Sequence, residues 1–390
     1  MQTGQPRWYI AKAGGSESEG FIVSGARDEF ERFLDIEFSS WKQRWADAPD
    51  CWTANCDWQR TMSAGRWSAP AWPEAIGGRG LGPLDIYTVE EVQAERGTPR
   101  LPGMLGLKNV GPTLQTWGTE DQKRHLANIL SSDEIWCQGF SEPGAGSDLA
   151  SMKTRAVIDG ENFVINGQKI WTSDGMHATH MELLARTDPA AAKHAGISAI
   201  LVDMKTEGIE VRPIRQITGE AEFAEVFFTD VRIPIKNLLG PLNEGWRVTM
   251  TTLGHERAGL AVYAARLERK AQEALDQGAK SGKLSALEMD SLLQVFVECR
   301  AVSAIGRTIL DNIAAGREPG PEQSIIKLVW SEASQRLDST LADLAGNDFA
   351  LGKQPDLVAS YLGGRSATIA GGTSQIVRNL LAERVLGLPR

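Results

Sequence analysis

Residues 154–173 read TRAVIDGENFVINGQKIWTS. β-Branched and aromatic residues alternate here with polar ones in short runs, which is how half-buried strands are written. Two dipeptides, Asp159-Gly160 and Asn166-Gly167, supply the positive φ angles that tight hairpins require, so a chain reversal is expected at each.

Toward both ends of the chain the pattern changes. Strand-like alternation extends from about Glu134 to Pro234, through GISAILVDM, IEVRPIRQI and AEVFFTDVRIP. Upstream, within residues 25–46, Phe30, Phe33, Leu34, Ile36, Phe38 and Trp41 recur at spacings near three and four, an amphipathic helix. A Pro/Gly loop, SAPAWPEAIGGRGLGP at residues 68–83, separates it from further helical stretches. Downstream of about Asn243, long apolar stripes of helical period return in TMTTLGHERAGLAVYAARLERKAQEAL, LEMDSLLQVFVECRAVSAIGRTILDNIAA, EQSIIKLVWSEASQRLDSTLADLA and SQIVRNLLAERVL. Such stripes pack as antiparallel bundles and often share an oligomer interface. The expected order is a flexible Gly/Ser/Glu-rich tail over 1–24, a helical domain over 25–132, a β domain over 133–235 and a helical bundle over 236–390, an α+β chain.

The 390 residues are 42% hydrophobic and 23% charged, enough material for two or three domains. A formal net charge of -9 gives no generic attraction to nucleic acid or anionic lipid. No run approaches the length of a membrane span, and the start MQTGQPRWYIAKAGGSESEG lacks an apolar signal core, so a cytoplasmic protein is expected. Cys51, Cys56, Cys137 and Cys299 are too few and too scattered for a disulfide framework and read as reduced thiols. Cys51 and Cys56 lack a second ligand pair, and His177 and His180 read as strand-end polar residues, so no metal site is assigned.

Candidate chemistry concentrates in three loops. Residues 136–154, WCQGFSEPGAGSDLASMKT, lead a strand into a loop where Gly144 and Gly146 let backbone approach a planar or anionic ligand. Ser141 and Ser147 add hydroxyls to it. Leu149 stands where the third glycine of a G-x-G-x-x-G fingerprint would be, so the loop is not that motif. Residues 169–175, KIWTSDG, set the flat face of Trp171 beside the hydroxyls of Thr172 and Ser173. In IAGGTSQIVRNLLAERVLGLPR, residues 369–390, Gly371 and Gly372 permit a tight loop before a helix N-terminus, a place suited to phosphate. The first two stretches alone also have plain readings, as a turn and as a core tryptophan.

Together with the strand-to-bundle link AEVFFTDVRIPIKNLLGPLNEGW at residues 224–246, these stretches resemble the acyl-CoA dehydrogenase family over about residues 25–390. The resemblance implies an N-terminal helical domain, a middle β-barrel or sandwich domain and a C-terminal helical bundle. It implies FAD, with Phe140, Ser141, Trp171, Thr172 and Ser173 at the flavin. Ser147 then lies toward the pyrophosphate or the substrate, and Thr373 and Gln375 contact phosphate and ribose. It also implies an acyl-CoA substrate dehydrogenated to the trans-2-enoyl-CoA and an electron-transferring flavoprotein as acceptor. The expected assembly is a homo- or hetero-oligomer, dimer or tetramer, with a homotetramer as the common form.

Two departures from the family pattern bear on activity. Many relatives carry the catalytic carboxylate in an Ile-Tyr-Glu-Gly-Thr loop, but the matching residues here are Ile369, Ala370, Gly371, Gly372 and Thr373. A second group, including isovaleryl- and long-chain-type enzymes, carries it on the helix that opens the C-terminal bundle, where LGHERAGLA places Glu256. Glu256 is therefore the expected base for the weakly acidic α proton, and burial beside flavin and acyl chain raises such a carboxyl toward neutrality. By the same resemblance the Gly371 N–H, with a flavin ribityl hydroxyl, faces the enolate oxygen, and Arg257 orients the site or the CoA end. As an ordinary surface pair, Glu256 and Arg257 require no function. The Arg-x-x-Phe-Gly segment with which many relatives grip FAD across a subunit interface is missing from QGAKSGKLSALEMDSL, residues 277–292. Three readings stay open: an active dehydrogenase, an auxiliary subunit of a heteromeric dehydrogenase, and a flavin oxidase or dehydrogenase acting on carrier-protein-bound substrates.

Overall fold

The computed structural model describes residues 25–48, 51–258, 260–315, 317 and 324–389, and of residues 255–258, 260 and 314 the backbone alone. The tail expected over residues 1–24 lies outside the described residues. In α1 (Gly25–Arg44), Phe30, Leu34, Phe38 and Trp41 are buried, the stripe of a helix packed on one side. Ile36, expected on that stripe, is 66% exposed, because two residues past Leu34 is the far side of a helix. The stripe meets Trp58 and Met62 of α2 (Trp52–Ala64) and Trp67. Full burial of an apolar side chain of this kind contributes roughly 1.5–3 kcal/mol.

α3 (Pro83–Arg96) opens on a proline and stops at Gly97, φ 64, the usual asymmetry of helix ends. The chain then makes one π turn, Gly106–Val110, in which the Gly111 N–H bonds back to the Gly106 carbonyl. Pro112 follows and has no N–H to continue the ordinary ladder. α4 (Gly111–Trp117), α5 (Glu120–Lys123) and α6 (His125–Ser131) complete this helical layer.

The strands are β1 (Trp136–Gly139), β2 (Arg155–Asp159), β3 (Asn162–Ser173), β4 (His180–Arg186), β5 (Ile197–Asp203), β6 (Ile209–Ile214), β7 (Phe223–Pro234) and β8 (Leu238–Leu239). They pair in the order β6-β7-β3-β2-β4-β5-β8, with β1 parallel to β4. One face of β1 and β4 packs against the helical layer through Trp136 and Leu184. The other face carries Cys137, Met181 and Leu183 into a second core with Phe163 and Ile165. Alternation of side chains across a strand is what lets one strand serve two cores.

Of the two expected reversals, one occurs. β2 and β3 form a hairpin through Gly160, φ 59, and Glu161. Asn166-Gly167 does not turn the chain; it lies inside β3 at an irregularity in the pairing with β7. A Cβ on Gly167 would stand 2.5 Å from Thr154 Oγ1, so glycine serves close packing there rather than reversal.

The helices of the C-terminal part are α7 (Gly245–Ala258), α8 (Leu260–Ser281), α9 (Ala286–Ala314), α10 (Ser324–Ala345), α11 (Asn347–Ala350), α12 (Pro355–Gly363) and α13 (Ser374–Arg384). The stripe that begins at Thr249 is helical through α7 and α8, and residue 259 between them lies outside the described residues. α8 and α9 run antiparallel, with Gly306 against Ala261 and Gly278 against Leu292, around Leu267, Cys299, Ile326 and Leu337. All four cysteines are free thiols. Among the described residues, no helix is long and apolar enough to cross a membrane.

α7 lies over β5 and the π turn. Its first residue is so close to the sheet that a Cβ on Gly245 would stand 2.5 Å from the Ser198 carbonyl carbon. Gly245→Ala is expected to cost about 1–3 kcal/mol of stability through overpacking. The check is a urea titration, in which a variant with an unchanged midpoint would show that α7 is not seated this tightly.

Candidate active site

The loop that leaves β1 and the end of β3 are tied by a buried ion pair. Lys169, with no exposed surface, reaches Glu142 Oε1 at 2.9 Å and donates a second hydrogen bond to the Phe140 carbonyl at 3.0 Å. The Glu142 oxygens also accept from the N–H groups of Lys153 (2.6 Å) and Thr154 (2.8 Å). Burial disfavours the charge on both partners. It pushes Lys169 down to about 8, against the pull of Glu142. At Glu142 burial is outweighed by the Lys169 charge and the N–H donors, which hold the carboxyl below the usual carboxylate range.

With the loop pinned, Phe140 is buried, and the Ser141 carbonyl accepts the Ile170 N–H at 2.9 Å. The pairing of β3 with β7 slips between Lys169 and Thr172, and Trp171 sits at φ 60. That left-handed conformation is rare for a bulky residue and is stored strain. The slip leaves the indole 55% exposed, in edge-to-face contact with Phe223 at 6.0 Å. Thr172 is enclosed, its hydroxyl without a hydrogen-bond partner among the described residues, and Ser173 is half-buried. Phe140, Ser141, Trp171, Thr172 and Ser173 therefore share one corner. Ser147 is exposed farther along the same loop, past Gly144 and Gly146, where an added Cβ would meet nothing within 4 Å.

Gly371, Thr373 and Gln375 gather at the start of α13. Gly371 (φ 64) and Gly372 (φ 94) make the turn, and Lys327 of α10 donates to the Gly372 carbonyl. Thr373 Oγ1 caps the helix by accepting from the Ile376 N–H at 3.3 Å, and Gln375 is exposed. Ser374 is buried with its hydroxyl unpartnered among the described residues. Glu256 and Arg257 fall in the last turn of α7, and their side chains lie outside the described residues. His177 stacks on Trp52 at 3.9 Å. His180 meets His125 beside the Glu134 carboxylate, which also accepts from Asn128 and Trp136, a polar knot joining α6 to the sheet.

The chain matches the acyl-CoA dehydrogenase N-terminal domain over residues 24–134, the middle domain over 137–231 and the C-terminal domain over 243–386. It belongs to the acyl-CoA dehydrogenase family. It is similar to acyl-CoA dehydrogenase IpdE1 of Mycobacterium tuberculosis, 38% identical over 342 residues that cover 85% of this chain and 88% of the relative. Among solved structures, the Tcur3481-Tcur3483 steroid ACAD superposes with a TM-score of 0.81 at 28% identity, covering 94% of this chain and 97% of that one. The ChsE4-ChsE5 complex from Mycobacterium tuberculosis does so with a TM-score of 0.81 at 27% identity, covering 95% and 99%.

This acyl-CoA dehydrogenase is thus an oxidoreductase of acyl-CoA thioesters that depends on FAD. The residues present fit that cofactor. A strained bulge offers an exposed indole to a planar ring, the buried Thr172 hydroxyl has no partner among the described residues, and the open-sided glycines leave room beside Ser147.

Glu142 and Lys169 stood in the quoted motifs without a role. The signal was the strand phase. Phe163, Ile165 and Lys169 occupy the inward positions of β3, so a lysine there had to find a buried partner. Lys169→Met is expected to cost about 3–5 kcal/mol by leaving the buried Glu142 charge without its counter-charge. It is also expected to weaken FAD retention, read by urea denaturation and by the flavin absorbance that survives gel filtration. Unchanged stability with full flavin content would show that the pair does not organise the loop.

Proposed function

We propose that this acyl-CoA dehydrogenase oxidises the Cα–Cβ bond of a bulky, ring-bearing acyl-CoA thioester of steroid type, with Glu256 as the base. The observation that carries the base assignment is Gly371. The C-terminal turn at residues 364–375 contains no carboxylate, and its glycine pair is held by Lys327 instead. A proton acceptor must then come from an element facing the site, and α7, seated on β5, brings Glu256 in its last turn. The ring-bearing substrate is supported by likeness to the steroid ACAD and to IpdE1.

In this reading Glu256 removes the α proton and the Gly371 N–H donates to the thioester oxygen as negative charge develops there. Trp171, Ser141 and Ser173, with Phe140 and Thr172 behind them, hold the ring of FAD, and Thr373 and Gln375 hold its phosphate and ribose. Ser147 and Arg257 orient the CoA end. Bound FAD supplies the hydride acceptor for the β carbon, and an electron-transferring flavoprotein takes the electrons onward. Likeness to the ChsE4-ChsE5 complex supports assembly with a second, related chain in place of a homotetramer.

The test is anaerobic mixing of the FAD-loaded enzyme with a panel of CoA thioesters, from short branched to steroid-sized, while the flavin band is followed. Bleaching by the ring-bearing members is expected, and Glu256→Gln should slow it by roughly 100- to 10,000-fold with FAD retained. Wild-type bleaching in that variant would remove the base assignment, and preference for short chains would remove the substrate class.

A further inference from the structure

A second glutamate sits in the wall behind this site. Glu182, on β4, has no exposed surface. Its Oε1 accepts from the Thr252 hydroxyl of α7 at 3.0 Å, and its Oε2 from the Gln138 amide of β1 at 3.4 Å. Thr252 is in turn 2.9 Å from the Thr113 hydroxyl of α4. One carboxyl therefore joins the strand that leads into Phe140 and Ser141, the helix that carries Glu256, and the helix that follows the π turn. Glu256 is one turn beyond Thr252, on the same face of α7.

We propose that Glu182 is a positioning residue, its buried carboxyl clamping α7 to β1 and β4 and so setting where Glu256 stands. The proposal rests on the reading of Glu256 as the base.

The described surroundings favour an uncharged clamp. Among the described residues, the groups facing Glu182 are Gln138 from β1, Leu201 across the ladder on β5, Thr252 from α7 and Thr113 from α4. None is a cation. His180, two residues back on the same face of β4, is engaged with the Glu134 and His125 cluster, and Cys137 lies on the opposite face. Burial pushes the Glu182 carboxyl up to about 7, with the bonds from Thr252 and Gln138 offsetting part of that rise. Ionisation would leave a bare charge in the wall and oppose the negative charge that Glu256 needs as a base. The sign follows. A carboxyl raised on folding contributes stability that is complete below its unfolded pKa and is lost as the pH rises through about 7.

The experiment measures anaerobic flavin reduction by an accepted thioester from about pH 6 to about pH 9, with Glu182→Gln and Glu182→Leu beside the wild type. The wild-type rate is expected to fall above neutrality. In the neutral carboxyl the acid proton goes to Thr252 Oγ1, whose own hydrogen turns to the Val248 carbonyl at 3.2 Å. Glu182→Gln reproduces this with its N–H on Thr252 and its carbonyl accepting from Gln138 but cannot ionise, so it should hold the low-pH rate within about 2-fold and lose the descending limb. Its melting temperature should exceed the wild type's at about pH 8 and not at about pH 5. Glu182→Leu should lower kcat by roughly 10- to 100-fold at every pH, with KM and FAD content unchanged, because the base is misplaced while binding survives. A Gln variant that keeps the descending limb, or a Leu variant with wild-type kcat, overturns the proposal. If the Leu variant does not fold, the Gln profile decides. If Glu256→Gln turns over normally while Glu182→Gln loses the limb, the base assignment fails and the clamp on α7 stands.

Discussion

The contact on which the proposed flavin corner depends is the pair of charges sealed between Lys169 and Glu142. A buried ion pair costs desolvation on both sides and is a weak source of stability. Here the carboxylate is fully engaged, by one ammonium and two backbone N–H groups, and the ammonium also takes the Phe140 carbonyl. Such a network admits one arrangement of the chain. It fixes the exit of β1 against β3 and so decides where Phe140 and Ser141 lie relative to Trp171. The bulge that holds Trp171 at φ 60 begins at Lys169 itself, so the strain is anchored by the same side chain that seals the loop.

Three carboxylates show how one fold gives one functional group different tasks through its surroundings. Glu142, beside a cation and N–H donors, stays ionised and ties the loop. Glu182, buried among hydroxyls and amide with no cation facing it among the described residues, favours the neutral form. Glu256, the proposed base, is carried on the helix that Glu182 holds through Thr252. The close seat of Gly245 on Ser198 begins that helix, and the Thr252 bond holds it at its middle. α7 is thus the element through which sheet packing reaches the proposed base.

Much of the architecture was legible because it is written in local periodicity. The stripe of Phe30, Leu34, Phe38 and Trp41, the strand runs between Trp136 and Pro234, and the long stripes after Asn243 each carry their own period, and each forms the element expected of it. Asn166-Gly167 was misread because a dipeptide with turn chemistry says nothing about what lies beside it, and Thr154 lies beside it. Ile36 is apolar and close in sequence to the stripe of α1, but its angle on the helix turns it to solvent.

The family and its cofactor were within reach of the amino-acid order, since the motifs at 136–154, 169–175 and 369–375 are contiguous and each brings its functional groups within a few residues. What joins those motifs was not. Lys169 to Glu142 spans 27 residues and Glu182 to Thr252 spans 70, distances over which periodicity carries no information and burial alone reveals a partner. The sequence by itself determined which elements form and which chemical groups are present. Tertiary structure alone decided which carboxylates are charged, because charge on a carboxyl depends on the dielectric and the donors around it, and those come from distant parts of the chain.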